Sequence, residues 1–209
     1  MKIVSLKRNI ILVLILSLFY LNGHSQTATA PSGSGTSADP YLISSLENLY
    51  WVSTSLINNA TFSDGKFFLQ TNNIDASATS SWTNKWIPIG GRTSVQPSDS
   101  SDNENRPFNG TYNGAGYTIN GVTYNNAFSG NNLNGFFGSV FGSILNLKLT
   151  NLSITTNSAK TGGLVALLKN GGGLIYNCST SGTIESTSVS AGGLVGQNQG
   201  VIFNSYSTC

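Results

Sequence analysis

Gly163-Leu164-Val165-Ala166, followed by Ile175-Tyr176-Asn177, is the middle copy of a pattern that the chain writes three times. The preceding copy is Gly135-Phe136-Phe137-Gly138 with Ile144-Leu145-Asn146, and the following one is Gly193-Leu194-Val195-Gly196 with Ile202-Phe203-Asn204. The glycine-initial elements start 28 and 30 residues apart, and the Ile-x-Asn elements 31 and 27. A period near thirty, with small length changes inside each unit, predicts stacked repeats rather than one closed core. Such short strands bury too little apolar surface alone. Stacking at ~4.8 Å lets each N–H and C=O pair with the unit above or below. Leu164-Val165 is then expected over Phe136-Phe137 and under Leu194-Val195, each buried Leu or Phe contributing roughly 1.5–3 kcal/mol. The glycines beside these pairs are expected to permit tight bends and positive φ. Asn146, Asn177 and Asn204 are expected to form an amide ladder.

Upstream of the repeats the signals are more varied. Residues 26–38, rich in Thr, Ala, Ser and Gly, read as a flexible leader. Tyr41-Leu42-Ile43 predicts a strand. Leu46, Leu49, Tyr50, Leu56 and Ile57 mark one face of a helix with Ser45 as N-cap, placed to cap the first unit. Lys66 to Gln70 and Ile74-Asp75 read as extended, and Trp86-Ile87-Pro88-Ile89-Gly90-Gly91 ends in a turn signal. Residues 94–106 and 125–134 read as polar loops. Between them, Phe108 to Tyr124 alternates apolar and polar residues, with turn residues at Asn113-Gly114 and Asn120-Gly121. The expected organisation is 1–25 signal peptide, 26–38 leader, 39–134 cap and first coils, and 135–209 repeats.

The signal-peptide reading rests on Lys2, Lys7 and Arg8, the apolar run from Ile10 to Leu21, and small residues Gly23 and Ser25 before Gln26. That run is shorter than the ~20 residues a membrane span needs, so no membrane span is expected after cleavage. A retained signal anchor is the competing reading of the same features. No cysteine follows the cut to suggest a lipoprotein anchor. Cleavage removes three of ten basic residues and none of eight acidic ones, leaving a net charge of −1. That balance carries no nucleic-acid footprint.

The single histidine, His24, leaves with the signal. Without it the mature chain lacks an imidazole for Ser-His-Asp or Cys-His chemistry, or for a His-based zinc site. Two cysteines remain, Cys178 and Cys209. In the stacked register Cys178 aligns with Ser205 and Cys209 with Gly182, so the columns lie too far apart for a disulfide and two free thiols are expected.

The repeats resemble the GLUG motif of bacterial surface and secreted proteins. The match is Gly-Gly-Leu-Val-Gly at 192–196, Gly-Gly-Leu-Val-Ala at 162–166 and the looser Gly-Phe-Phe-Gly at 135–138, with Ile-x-Asn-Cys/Ser at 175–178 and 202–205. Gly35 to Ile43, Trp86 to Gly90 and Phe108 to Gly114 are similar to segments that commonly precede such repeats. The resemblance covers residues 33–209. It implies an all-β right-handed parallel β-helix (a solenoid) and an adhesin-like protein, and it carries no catalytic residues. Ala166 and Phe136-Phe137 depart from the pattern while keeping the apolar column.

Several sets of residues invite functional readings. Asp99, Asp102 and Glu104, with Asn103 and Asn105, offer oxygen ligands but lack the spacing and glycine of a calcium loop, so a solvated loop is expected. Gly114-Ala115-Gly116 lacks the third glycine and helix of a phosphate loop and reads as a turn. Trp82, flanked by Ser81 and Thr83, would serve as a sugar platform if exposed, whereas Trp86 and upstream Tyr50 and Trp51 read as packing. Asp64, Asp75, Asp99, Asp102, Glu104 and Glu185 show no pairing suited to glycoside hydrolysis. Thr155-Thr156 has no matching column at Ser186-Thr187-Ser188, against an ice-binding face.

The sequence therefore predicts no catalytic, cofactor or metal residues. It describes an exported, non-catalytic module for adhesion or ligand display at the cell surface, secreted or surface-held, part of a longer chain, with a glycan or matrix protein as partner. The alternative is an accessory arm of a larger secreted polysaccharide-active enzyme or peptidase. A pure spacer is the third reading.

Overall fold

The computed structural model describes residues 26–83, 85–91, 106–125, 133–157, 160–187 and 190–209. The expected signal peptide (1–25), His24, Asp99, Asp102 and Glu104, and most of the loops expected at 94–106 and 125–134, lie outside these residues.

Within them the chain is mostly β-strand in parallel sheets with one short α-helix. Strands β1 (Tyr41–Ile43), β2 (Phe67–Gln70), β4 (Thr111–Asn113), β9 (Ser143–Leu145), β13 (Leu174–Tyr176) and β17 (Val201–Phe203) form a six-stranded sheet in that order. A second sheet runs β18 (Tyr206–Thr208), β14 (Ser179–Ser186), β10 (Lys148–Thr156), β5 (Thr118–Asn120), β3 (Ile74–Asp75), with β6 (Thr123–Asn125) also on β10. Two three-stranded sheets hold β15 (Ser190–Gly192), β11 (Lys160–Gly162) and β7 (Leu133–Asn134), and β16 (Val195–Asn198), β12 (Val165–Leu168) and β8 (Phe137–Val140). From β9 onward the chain visits the four sheets in a fixed cycle. Strands one cycle apart pair in parallel, Val165 with Phe137 and Val195, and Ile175 with Ile144 and Ile202. These are the 28-, 30-, 31- and 27-residue steps read from the sequence.

The core is a file of inward side chains. On the six-stranded sheet Phe68, Tyr112, Ile144 and Ile175 are paired neighbour to neighbour and buried. At the starts of β8 and β12 and on the bends before them Phe136, Phe137, Leu164 and Val165 are all fully buried, while Leu194 and Val195 are partly buried against the same core. Trp86 stacks on Phe136 with centroids 4.9 Å apart and donates its indole N–H to the Phe136 carbonyl at 3.1 Å.

Helix α1 (Leu46–Asn58) starts at Ser45, whose hydroxyl accepts the Asn48 N–H at 3.4 Å. Leu46, Leu49, Tyr50, Val52 and Leu56 are buried. Ser53 donates to the Ile87 carbonyl at 2.8 Å, satisfying a hydroxyl that the apolar contact would otherwise strand. The segment read as a leader is attached to this helix and to β2. Thr29 and Glu47 share a backbone bond at 3.2 Å, Asn48 donates to the Thr29 carbonyl at 3.0 Å, and the Phe67 N–H reaches Gly35 at 3.0 Å.

Two local expectations are corrected. None of the motif glycines at 135, 138, 162, 163, 192, 193 and 196 has positive φ. They serve close approach instead: a Cβ on Gly163 would run into the Gly193 carbonyl oxygen, and one on Gly135 into that of Gly162. The left-handed positions fall on Asn146, Asn177 and Asn204, with φ of 52°, 54° and 49°. Asparagine tolerates this region better than other residues with a side chain. The loop expected over 125–134 is also shorter, because Leu133-Asn134 is a buried strand paired with β11. Asn134 is held there by accepting from the Tyr124 hydroxyl and donating to Thr156 Oγ1 at 3.0 Å.

Candidate functional site

The sequence-predicted candidates resolve individually. Trp82 is 4 % exposed, packed against Tyr50 at 5.1 Å and Trp86 at 6.3 Å. The sugar platform considered for it is thereby overturned: the polar neighbours Ser81 and Thr83 follow the turn, while the indole points into the core. Gly114-Ala115-Gly116 is the expected turn, with the Ala115 N–H on Asn113 Oδ1 at 2.9 Å and φ of 52° and 82° at Ala115 and Gly116.

The described carboxylates sit on separate elements. Asp64 accepts from the Asn109 side chain, 45 residues away in sequence, at 3.1 Å and Asp75 from the Ser77 N–H in its own turn at 2.9 Å, while Glu185 is exposed on β14. Among the described residues no group of three His, Cys, Asp or Glu side chains is placed to hold a metal ion. Cys178 is buried and Cys209 exposed, both as free thiols. Cys178 aligns with Ser205 as expected, its N–H reaching Ser205 Oγ at 2.9 Å. Burial pushes its thiol pKa up to about 11, against the lowering effect of hydrogen bonds with the Leu147 and Tyr176 backbone. That shift makes it a poor nucleophile at neutral pH.

What the structure assembles instead is a surface. Parallel sheets are ordinarily covered on both faces. Here the six-stranded sheet alternates from β2 to β13, with accessible residues on its outer face. Each of β4, β9 and β13 has a buried middle residue between two accessible ones. The outward residues form two files. One is Phe67, Thr111, Ser143, Leu174, Val201; the other is Leu69, Asn113, Leu145, Tyr176, Phe203. On the second file Tyr176 is 40 % exposed, and its ring stacks on that of Phe203 at 5.7 Å with 7° between planes. None of the ten residues is charged.

One margin of this face is the amide ladder. Asn146 donates to Asn113 Oδ1 at 3.0 Å, Asn177 to Asn146 at 2.8 Å, and Asn204 to Asn177 at 3.2 Å. Each ladder amide uses one N–H in this way and keeps a second. Two recesses adjoin the face. One of about 340 Å³ is walled by Ser37, Pro40, Phe67, Leu69, Asn113 and Leu145, and one of about 420 Å³ by Gly171 to Leu174 and Gln199 to Val201.

This face was not singled out from the sequence, although its signal is there. In Ile-x-Asn the middle residue is Leu145, Tyr176 or Phe203, large and apolar each time. Once Ile points inward, period-two alternation sends that residue outward.

The outer face of β10 and β14 differs in character. Ser153 aligns with Thr123 and Thr183, and Thr155 with Asn125 and Glu185. The glutamate breaks any threonine column, as expected.

No protein-family model matches the chain, so the GLUG resemblance gains no support from that source. No solved structure matches it. The chain is 31 % identical over 180 residues to halomucin from the archaeon Haloquadratum walsbyi, a match spanning 84 % of this chain and 2 % of halomucin's length. That relative is archaeal and lends nothing to a bacterial source. No helix among the described residues is long and apolar enough to cross a membrane.

Proposed function

We propose that the chain is a right-handed parallel β-helix of the GLUG type, capped by α1, which acts as a non-catalytic, exported module displaying ligand-binding faces at the cell surface. The handedness follows the general rule for parallel strands joined by crossovers. The likeness to halomucin supports a surface-associated role. The observation that carries the display reading is the straightness of the outward files: exact pairing at Ser143, Leu174 and Val201 holds successive side chains at strand spacing on a rigid sheet. The engagement of Asp64 by the Asn109 side chain and of Asp75 by the Ser77 N–H supports a role without catalysis.

The test is retention of the full chain on a panel of polysaccharides and matrix proteins, followed by sizing of whatever is retained. Retention without any shortening of the partner is expected. Cleavage of a retained polymer would favour the enzyme arm, and retention by no member of the panel would leave only a spacer.

A further inference from the structure

We propose that the turn over residues 169–173 carries a site of spontaneous covalent modification: in the folded protein Asn170 deamidates through the backbone nitrogen of Gly171, giving aspartate and isoaspartate. This is independent of the display reading.

The chemistry needs an asparagine followed by an uncrowded backbone nitrogen. The Gly171 nitrogen attacks Asn170 Cγ. The new N–C bond closes a cyclic imide, the bond from Cγ to the side-chain nitrogen breaks, and ammonia leaves with the proton of the Gly171 N–H. Water then opens the imide at either carbonyl. One opening leaves aspartate; the other leaves isoaspartate, with the main chain routed through the side-chain carbon. Water is consumed, ammonia is released, and no oxidant or metal takes part. Glycine favours the attack because no Cβ crowds its nitrogen.

Among the described residues Asn-Gly occurs five times, and four of the five asparagines are tied down. Asn109 donates its amide to Asp64 at 3.1 Å. Asn113 Oδ1 accepts from the Ala115 N–H at 2.9 Å and from Asn146 at 3.0 Å, and the Gly114 N–H is spent on the Leu145 carbonyl at 2.8 Å. Asn120 Oδ1 accepts from the Thr150 hydroxyl at 3.0 Å and the Asn151 amide at 2.7 Å, with the Gly121 N–H on the Thr150 carbonyl at 2.9 Å. Asn134 is fully buried between Tyr124 and Thr156. Each of these amides must give up its partners before Cγ can turn toward the next nitrogen. Asn170 is exposed, and neither its side chain nor the Gly171 N–H has a hydrogen-bond partner among the described residues.

The fold explains the difference. Five residues join β12 to β13, whereas the equivalent turns at 141–142 and 199–200 have two. The bulge is thus a property of this turn's own length. Gly171, at φ of 81°, and Gly172 pass beside the Phe141 ring of the preceding repeat. The ends of the turn are held: the Lys169 N–H reaches the Val140 carbonyl at 2.8 Å, Gly173 that of Lys169 at 3.1 Å, and Leu174 that of Gly142 at 3.0 Å. The segment between them can therefore reach the cyclising geometry while the sheets stay paired. The product places a carboxylate next to the recess of about 420 Å³, whose lining from Gly171 to Leu174 and Gln199 to Val201 carries no charge.

The experiment ages the folded full chain at neutral and mildly alkaline pH and maps deamidation by peptide mass spectrometry, with isoaspartyl methyltransferase reporting the isoaspartate. Conversion at Asn170 is expected to run at least about tenfold ahead of Asn109, Asn113, Asn120 and Asn134, to accelerate with pH and to yield both products. In guanidinium the five sites should converge, because the protecting bonds are gone and the same residue pair remains. Gly171→Ala, compared in guanidinium where its effect on the fold plays no part, should slow the reaction at Asn170. A folded-state rate at Asn170 no faster than at the tied asparagines would overturn the proposal. So would a lead for Asn170 that persists undiminished in guanidinium, or aspartate formed without any isoaspartate, the outcome of direct hydrolysis.

Discussion

Asn177 donates its side-chain N–H to Asn146 Oδ1 at 2.8 Å, and both residues hold their backbones in the left-handed region, at φ of 54° and 52°. One residue type thus does two jobs at the same corner. It turns the chain from the six-stranded sheet into the next sheet, and its side chain ties one repeat to its neighbour. Asn204 repeats the arrangement, donating to Asn177 at 3.2 Å.

Asn177→Ala removes two ladder bonds and places a Cβ-bearing residue without a compensating amide at positive φ. With ~0.5–1.5 kcal/mol per hydrogen bond and ~1–2 kcal/mol for the left-handed backbone, a loss of about 2–5 kcal/mol is expected in urea denaturation. Asn177→Gly loses the same bonds without the backbone cost and should lie about 1 kcal/mol above the alanine variant. Equal losses for the two variants would mean that backbone strain plays no part.

Neighbouring residues on β13 should respond in opposite ways. Ile175 is fully buried between Ile144 and Ile202, so Ile175→Ala should cost about 2–5 kcal/mol. Tyr176 is 40 % exposed on the outer face, and Tyr176→Ala should cost about 1 kcal/mol or less. A reversed order in thermal or urea unfolding would place the wrong residue inside.

The two thiols should separate by reactivity. In the folded protein at pH 8 a disulfide reagent should titrate the exposed Cys209 at once and reach the buried Cys178 only after denaturant is added. The raised pKa of Cys178 has a stability consequence. The folded thiol keeps its proton up to about 11, while the unfolded one releases it near 9.0. The folded state therefore binds the extra proton in that window, and its contribution to stability, complete below pH 9, declines as pH rises through 11. In Cys178→Ser that part of the alkaline decline should be absent.

Trp82 and Trp86, at 4 % and 0 % exposure, should emit as buried indoles and resist iodide quenching. Addition of saccharide should leave their fluorescence unchanged. Strong quenching in a Trp51→Phe background would show Trp82 to be accessible and restore it as a candidate contact.

Much of the architecture was legible because the repeats carry their own register. Phe137, Val165 and Val195 pair where the spacing of the glycine-initial elements put them, and the Asn ladder followed from the identity of residues 146, 177 and 204. What stayed hidden required knowing which way a side chain points. Trp82 lies between Ser81 and Thr83, so local polarity suggested exposure, while its burial depends on Tyr50 contributed by α1 from a distant part of the chain. The motif glycines were read for turning freedom, yet at Gly135 and Gly163 the role is the carbonyl that crosses them from the next repeat, which no single unit reveals. The outer apolar file was visible as Leu145, Tyr176 and Phe203, but a period of two assigns it to solvent only after the inward partner is fixed.

The stacking of consecutive repeats in register is tested most directly by disulfide trapping between Ser153 on β10 and Thr183 on β14, which are Cα partners with exposed side chains. In a Cys209→Ser background, Ser153→Cys/Thr183→Cys should close its bridge under mild oxidation, since partner spacing lies within disulfide reach, and Ser153→Cys/Thr187→Cys, four residues farther along, should not. Peptide mapping that finds the second pair bridged as readily as the first, or the first pair never bridged, would contradict the stack.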